Sequence, residues 1–415
     1  MKSDNGIFDV VVVGGGAAGM MAAGVAASRG KKVILLEKNY ELGKKLKISG
    51  GGRCNITNAK YDVREFLTNY GKAADFLYSP FSQFGVSDTF SFFEGLGLPL
   101  VVQARDRAFP QTERAEDVFR ALKKVLDKNG VVIRTGCAVK KIISDGNKIV
   151  AVETSDGRVS GGSYIFSTGG VSHNETGSTG DGFRWLKELG HTVKDPTPTI
   201  VPLAVEEDWI KSLAGVSLSF MKISFFLEGK RQFSKLGKVL FTHFGLSGPL
   251  ILNSAGEVGN LLKGGKVTAE IDAFPDTDLG AFDNKIVNLF NLNKNKELKT
   301  VFKELVPKGT SDALRTLLPE IDFSTKVHSI TRDQRLKITR LLKALPVTIE
   351  GLMGNDRAVS ADGGVVLEEV DTRTMRSNLI SNLYIIGDLL HINRPSGGYS
   401  LQLCWTTGFV AGSSV

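Results

Sequence analysis

Residues 7–13 (IFDVVVV) form a short, β-branched apolar run, the mark of a strand buried on both faces. A Gly-rich turn follows, then an Ala-rich stretch at helical spacing that reaches Ser28 and is closed by Gly30. Residues 32–37 (KVILLE) read as a second buried strand. Strand, turn, helix and strand within about 30 residues predict a βαβ unit. Residues 115–129 carry apolar positions at helical spacing and stop before Gly130, a suitable C′ residue. Residues 131–143 alternate as a strand. The runs 147–154 and 158–166 predict a strand pair joined at Ser155-Asp156-Gly157, and 164–168 run into Gly169-Gly170.

The pattern changes after Asp195-Pro196-Thr197-Pro198. Between 200 and 274 the chain carries strand-like runs, such as 221–227 and 267–274. From 279 to 345 it switches to Leu, Lys and Glu at helical period, as in 285–305 and 331–345. Residues 346–349 return to strand, 383–388 (LYIIGD) form a last buried strand, and 398–412 read as a helix. The simplest architecture is α/β, with a Rossmann-like nucleotide-binding domain built from both chain ends and β-rich and helical segments inserted between. The expected boundaries are 1–194 for its first part, 195–276 for the β-rich insert, 277–345 for the helical insert, 346–358 for a strand returning to the β-rich part, and 359–415 for the C-terminal part.

Composition narrows the function classes. The 415 residues are 42% hydrophobic and 23% charged, which excludes a disordered chain. Three Cys (Cys54, Cys137, Cys404) without a CxxC pair argue against a disulfide framework, a zinc knuckle and a dithiol site, and point to a reducing, cytoplasmic setting. A net charge of +8 is modest for the length and suits an anionic ligand better than nucleic acid. The apolar run 8–27 could pass for an export signal or a membrane span, but Gly14, Gly15, Gly16 and Gly19 interrupt it. Gly numbers 47, about 11% where roughly 7% is usual, and it falls in clusters.

The first cluster is Gly14-x-Gly16-Ala17-Ala18-Gly19, after a strand and opening a helix. The first Gly allows the tight turn, the second lets backbone approach a pyrophosphate, and the third lets the helix pack on the strand. Phosphates would sit on the helix N-terminus. Glu37, with Lys38 after it, ends the second strand, where a carboxylate can hold adenosine ribose hydroxyls. The motif alone does not separate NAD from FAD. The far end of the chain favours FAD: Gly387-Asp388 ends a buried strand and can meet a ribityl hydroxyl. Gly398-Tyr399-Ser400-Leu401 opens a helix whose N-terminus would face the flavin pyrimidine edge.

A second cluster, Ser49-Gly50-Gly51-Gly52-Arg53-Cys54-Asn55, suits a loop whose backbone touches a planar ligand. For Cys54 a packing or contact role is favoured over that of a nucleophile, since only Arg53 adjoins it in sequence. A third, Thr168-Gly169-Gly170 and then 176–182, is either a cofactor-side loop or a helix start capped by Thr179 or Asp181. His243, beside aromatic residues, is more readily structural than a proton donor. No metal-binding spacing occurs, and a second GxGxxG is absent.

Taken together, the segments VVVGGGAAGMMAA, LEKN, GKKLKISGGGRCNITN, FPQTERAEDVFRAL, STGG with TGSTGDGF, LFTHFGLSGP, and LYIIGD with SGGYSLQ resemble one bacterial family. These are the FAD-dependent oxidoreductases related to aminoacetone oxidase and to the bile-acid 3-dehydro-Δ4,6-reductase. The resemblance spans nearly the whole chain. It implies a two-part FAD domain with an inserted β-barrel and a helical domain. It also implies FAD contacts at Gly14–Gly19, Glu37, Lys45, Arg53–Asn55, the Val139 backbone, Thr168-Gly169, Asp388 and 398–401. Two departures stand out: Asp388 replaces a common Glu, and 389–395 (LLHINRP) is unlike the usual Asp- and Gly-rich linker.

The expected activity is hydride transfer between a small organic molecule, or a transiently docked NAD(P)H, and flavin N5. His243 and Tyr399 are candidates for moving a proton. The alternatives are an oxidase that passes electrons to oxygen and an RNA-acting flavoprotein. No membrane partner is expected, and the oligomeric state stays open.

Overall fold

The structure, a computed structural model, describes residues 7–354 and 360–415. The expected domain boundary at 358–359 touches residues outside this range. The chain forms two compact units, one from the two chain ends (to Thr197 and from Val359) and one from Pro198–Ala358.

The first unit is built on a five-stranded parallel sheet in the order Leu383–Ile385, Gly161–Phe166, Phe8–Val13, Val33–Leu36, Val132–Arg134. Phe8–Val13 is buried except at Asp9, whose carboxylate caps the neighbouring strand by accepting from the Lys32 N–H (2.8 Å). A strand in the middle of a covered sheet must be apolar on both faces, which is why this run shows no alternation. The chain goes from Phe8–Val13 to one side and later returns on the other. The sheet order therefore reverses between Phe8–Val13 and Gly161–Phe166, the place where open α/β sheets bind ligands beyond their carboxyl ends.

The helix Ala17–Ser28 is buried from Ala18 to Ala27 because a second helix, Tyr399–Ser414, lies against it. Its small residues allow this. A Cβ at Gly408 would lie 2.6 Å from the Ala18 carbonyl oxygen, and one at Gly412 would lie 2.5 Å from that of Ala22. Trp405 adds a buried indole N–H donated to the Ile56 carbonyl (3.0 Å).

Two expected strands divide. The run 131–143 becomes Val132–Arg134 in the parallel sheet and Val139–Asp145 in an antiparallel three-stranded sheet. The chain turns between them at Gly136, which has φ +66°. The run 158–166 likewise changes partners at Ser160. Gly157–Val159 pairs with Lys148–Thr154, while Gly161–Phe166 joins the parallel sheet.

His191 staples the C-terminal part of this unit. Its Nδ1 lies 2.8 Å from Glu369 Oε2 and its Nε2 lies 2.9 Å from Ser377 Oγ, which itself accepts from the Leu379 and Ile380 N–H groups. Burial pulls the His191 pKa down, although Glu369 opposes it. The folded state therefore holds His191 neutral, and the stabilisation is present above its unfolded value of about 6.5 and lost as pH falls below it. Lowering pH from 7 to 5 should reduce thermal stability in the wild type and less in His191→Gln; equal losses in both would remove His191 as the cause.

The second unit centres on a closed six-stranded barrel in the order Leu203–Val205, Gly245–Ser247, Lys230–Thr242, Ser217–Leu227, Val267–Asp272, Leu345–Leu352. The helical segment is not a separate body. Phe282, Ile286, Phe302, Ile338 and Leu342 from its helices share one hydrophobic core with Phe225, Phe241 and Ile271 of the barrel. The run 285–305 is two helices, Leu279–Leu292 and Leu298–Leu305. Arg335 joins helix to helix through a two-point contact with Asp283 (2.9 and 3.1 Å). Among the described residues, no helix is long and apolar enough to cross a membrane.

Candidate functional site

Because the five strands are parallel, their carboxyl ends lie along one edge of the sheet. Gly14, Glu37, Ser167-Thr168 and Gly387-Asp388 are the residues that leave four of them. The reversal point lies between Gly14 and Ser167. It is pinned by the Ser167 hydroxyl, which lies within hydrogen-bond reach of both the Val13 and the Gly14 carbonyls (2.9 and 2.8 Å).

The three glycines of the turn take three different roles. Gly14 has φ +105°, and a Cβ there would lie 2.5 Å from the Ser167 carbonyl oxygen. Gly19 packs helix on strand so closely that a Cβ would collide with the Gly14 carbonyl oxygen. Gly16 has nothing within 4 Å of a Cβ, so its face is open. Gly16 is also the N-cap of Ala17–Ser28, which has no side-chain cap, so N–H groups at this end are left for a ligand.

Glu37 is buried, with one carboxylate oxygen accepting from the Gly15 N–H (2.7 Å) and the other from the Asn39 backbone and side-chain N–H groups (both 2.8 Å). It thus fixes the turn as well as facing it. Backbone hydrogen bonds from Glu37 N to Arg134 O and from Cys137 N to Glu37 O bring the segment that leads to Val139 alongside.

Lys38 reaches the loop that precedes the helix Asp181–Glu188. It lies 2.9 Å from Asp181 Oδ2 and 2.5 Å from Thr179 Oγ1. This also corrects the capping expectation: the helix Asp181–Glu188 starts at Gly180 without a side-chain cap, because Thr179 and Asp181 face Lys38. Thr168 Oγ1 is buried with no partner, and Gly169 beside it has φ +72°.

In the Gly50–Gly52 loop all three residues have positive φ, and nothing lies within 4 Å of a Cβ at Gly51 or Gly52. Arg53 stacks over the Phe109 ring (4.4 Å) and reaches Gln103 and Glu113 (both 3.3 Å). Cys54 is fully buried at φ +60°, and burial pushes its thiol up to about 12 despite a hydrogen bond with Ser49. A thiol this basic is no nucleophile near neutral pH. Native protein at pH 8 should leave Cys54 unlabelled by iodoacetamide and unfolded protein should not; labelling in both would contradict this placement. Asn55, with its amide turned to satisfy its neighbours, accepts from the Gly398 N–H (3.0 Å) and donates to the Thr57 carbonyl (3.0 Å).

The C-terminal part completes the edge. Gly387, at φ +64°, donates its N–H to the Thr407 hydroxyl (3.1 Å). Asp388 carries two cations: it pairs with Arg394 through Oδ1, and Lys45 Nζ lies 3.5 Å from Oδ2. Burial works to raise its pKa, but Arg394 and Lys45 outweigh this and hold the carboxyl below its usual range. Lys45 also donates to Ser172 Oγ (2.6 Å). Gly398, at φ +105°, presses against the Thr57 backbone and opens Tyr399–Ser414, where Ser400 meets Arg394 and Leu401 is half-buried.

Tyr399 is buried in an aromatic cluster, with Phe66 at 4.9 Å between ring centroids and Tyr70 at 6.1 Å. Burial raises its phenol above the ordinary value, so it keeps its proton. His243 lies in the barrel unit, exposed on the turn after Lys230–Thr242, and is not one of the residues along this edge. Ser172, Asn39 and Arg394 line the candidate site but were not singled out by sequence, whereas Ser167 was read there only as backbone. Arg394 had a local signal, a cation six residues after Asp388 within the unusual segment 389–395.

A parallel sheet of this order, carrying its polar groups at the reversal point, is the architecture of the Rossmann-type flavoprotein oxidoreductases, and that is the class of this chain. A match over residues 8–414 fixes the family: the chain belongs to the HI0933-like proteins with their Rossmann domain. It is 28% identical to the 3-dehydro-bile acid delta(4,6)-reductase of Clostridium scindens, over 94% of each chain. It is 26% identical to the ribosomal RNA dihydrouridine synthase of Haemophilus influenzae, again over 94% of each. In fold it is similar to the 3-ketosteroid-delta4-(5alpha)-dehydrogenase of Rhodococcus jostii, at TM-score 0.53 and 14% identity, covering 99% of this chain and 98% of that one.

Proposed function

We propose that the chain is an FAD-dependent reductase that saturates an electron-poor carbon–carbon double bond of a small organic molecule, with NAD(P)H as transient electron donor. The observation that carries the reading is the gathering of Gly14–Gly19, Glu37, Thr168 and Asp388 along one sheet edge at the reversal point. The residues present fit FAD. Gly16, Gly51 and Gly52 leave open the space that a side chain would take, and the buried Thr168 hydroxyl lacks a partner. The relatives' activities narrow the chemistry. The Δ4,6 double bonds conjugated with a 3-dehydro group and the C5=C6 bond of uridine are alkenes polarised by a carbonyl, and both systems are reduced by those relatives.

In this reading the N–H groups at the start of Ala17–Ser28 take the pyrophosphate, and Glu37 takes the adenosine ribose. The Val139 backbone faces the adenine edge, and Asp388 offers its Oδ2 side to a ribityl hydroxyl, since Oδ1 is held by Arg394. The N–H groups of Tyr399, Ser400 and Leu401 open a helix toward the pyrimidine end and favour negative charge there. Bound flavin supplies hydride chemistry at N5. Tyr399, protonated at neutral pH, is the candidate for giving the second hydrogen as a proton.

Purified protein should keep flavin absorbance through desalting, bleach anaerobically with NADH or NADPH, and recover its colour on adding a steroid enone. Protein that stays colourless and takes up no added FAD would defeat the reading. A second reading, reduction of uridine in RNA, is favoured by the Haemophilus relative. It predicts RNA binding that weakens steeply with salt, and recovery of colour by RNA but not by the enone.

A further inference from the structure

We infer that Arg394, together with Lys45, is a tuning residue that raises the electron affinity of the bound flavin; this rests on the FAD reading above. Arg394 is 4% exposed, an uncommon place for a guanidinium. Every face of it is engaged: Nε donates to Ser400 Oγ (3.1 Å), one terminal nitrogen donates to the Ile392 carbonyl (2.7 Å), and the other pairs with Asp388. Lys45 reaches the same carboxylate. One carboxylate therefore stands between two cations, which leaves the cluster one positive charge in excess. Cys404 beside it supplies no compensating anion, since burial pushes its thiol up to about 12.

The surplus sits where it is least comfortable. Through Ser400 the guanidinium is tied to the first turn of the sixteen-residue helix Tyr399–Ser414, whose N-terminal end is itself positive. A cation added to a positive helix end is unfavourable unless an anion shares the place. Two electrons and one proton, delivered together as hydride by a reductant, add one negative charge to a neutral oxidised ring. The cluster and the helix end would both stabilise that charge, so the reduced form gains over the oxidised one.

The test is an anaerobic reductive titration of the FAD-loaded protein with xanthine and xanthine oxidase, against a reference dye, together with FAD retention through desalting. In Arg394→Met the ratio of reduced to oxidised flavin at a fixed poise should fall about tenfold, or about 30 mV for a two-electron couple. Arg394→Lys should restore most of it. A role limited to packing would loosen FAD but leave the ratio where it was. An Arg394→Met protein that retains FAD with an unchanged ratio overturns the proposal. If that variant does not fold, Lys45→Met, whose side chain is 28% exposed, takes its place, and an unchanged ratio there overturns it equally. Wild-type protein that binds no FAD would instead defeat the FAD reading, which tells the two failures apart.

Discussion

Gly19→Ala should cost the nucleotide-binding unit about 3 kcal/mol or more and abolish FAD retention, whereas Gly16→Ala should leave stability nearly unchanged and still loosen FAD. The two positions share one turn and differ in what surrounds them. A Cβ at Gly19 meets the Gly14 carbonyl oxygen and, at 2.5 Å, the Ser167 hydroxyl. The first of these is backbone that is itself hydrogen-bonded, so the helix must move off the strand. Overpacking of a tight core typically costs 1–3 kcal/mol, and an unyielding backbone neighbour places this case at the top of that range or beyond. A Cβ at Gly16 meets nothing within 4 Å, so its effect falls on whatever approaches from outside. Denaturation followed through Trp185 and Trp405, both in this unit, measures the first effect; absorbance after desalting measures the second. Equal stability losses in the two variants would show that the open face of Gly16 is not a ligand face.

The second large effect is at Asp388. Replacing it by Asn leaves Arg394, 2% exposed in its side chain, and Lys45 without their shared counter-charge. Breaking a buried ion pair from one side costs about 3–5 kcal/mol, and the partial exposure of Asp388 and Lys45 places this one near about 3 kcal/mol. The pH dependence gives an independent check. The folded pKa of Asp388 is depressed, so its contribution is present above the unfolded value of about 4 and is lost as pH falls below it. The stability gap between wild type and Asp388→Asn should therefore be full at pH 7 and close as the solution is acidified below about pH 4. A gap that stays constant would mean that the carboxylate's charge is not what matters.

Local and periodic features were legible in the sequence. The βαβ start was readable because its strands are uniformly apolar and its glycines sit at the spacing the turn needs. The final strand and helix, Leu383–Ile385 and Tyr399–Ser414, were readable for the same reason. What escaped was set by contacts distant in sequence or by one local turn. Gly136 divides an apparently continuous strand. The pairing of Lys38 with Asp181, remote in sequence, had no signal in the residues around Glu37. Thr179 and Asp181 had the chemistry of helix caps and were diverted by the same lysine. The inserted helices looked like a separate body because their period differs from that of the strands. Period does not reveal that Phe282 and Phe302 face the same core as Phe225.

The close contact between the helices Ala17–Ser28 and Tyr399–Ser414 bears on how the molecule comes into being. Gly408 and Gly412 lie against Ala18 and Ala22, and the strand Leu383–Ile385 pairs with Gly161–Phe166. An early segment of the chain is thus completed by one made much later. At about 5–20 residues per second, the opening βαβ unit waits tens of seconds for its partner helix. Over that interval the barrel and its helices, whose core lies within one continuous stretch of chain, are free to fold first. The nucleotide-binding unit would then complete its sheet after the insert has formed, and a chain cut short before residue 383 would carry a folded barrel and an open, apolar half-sheet.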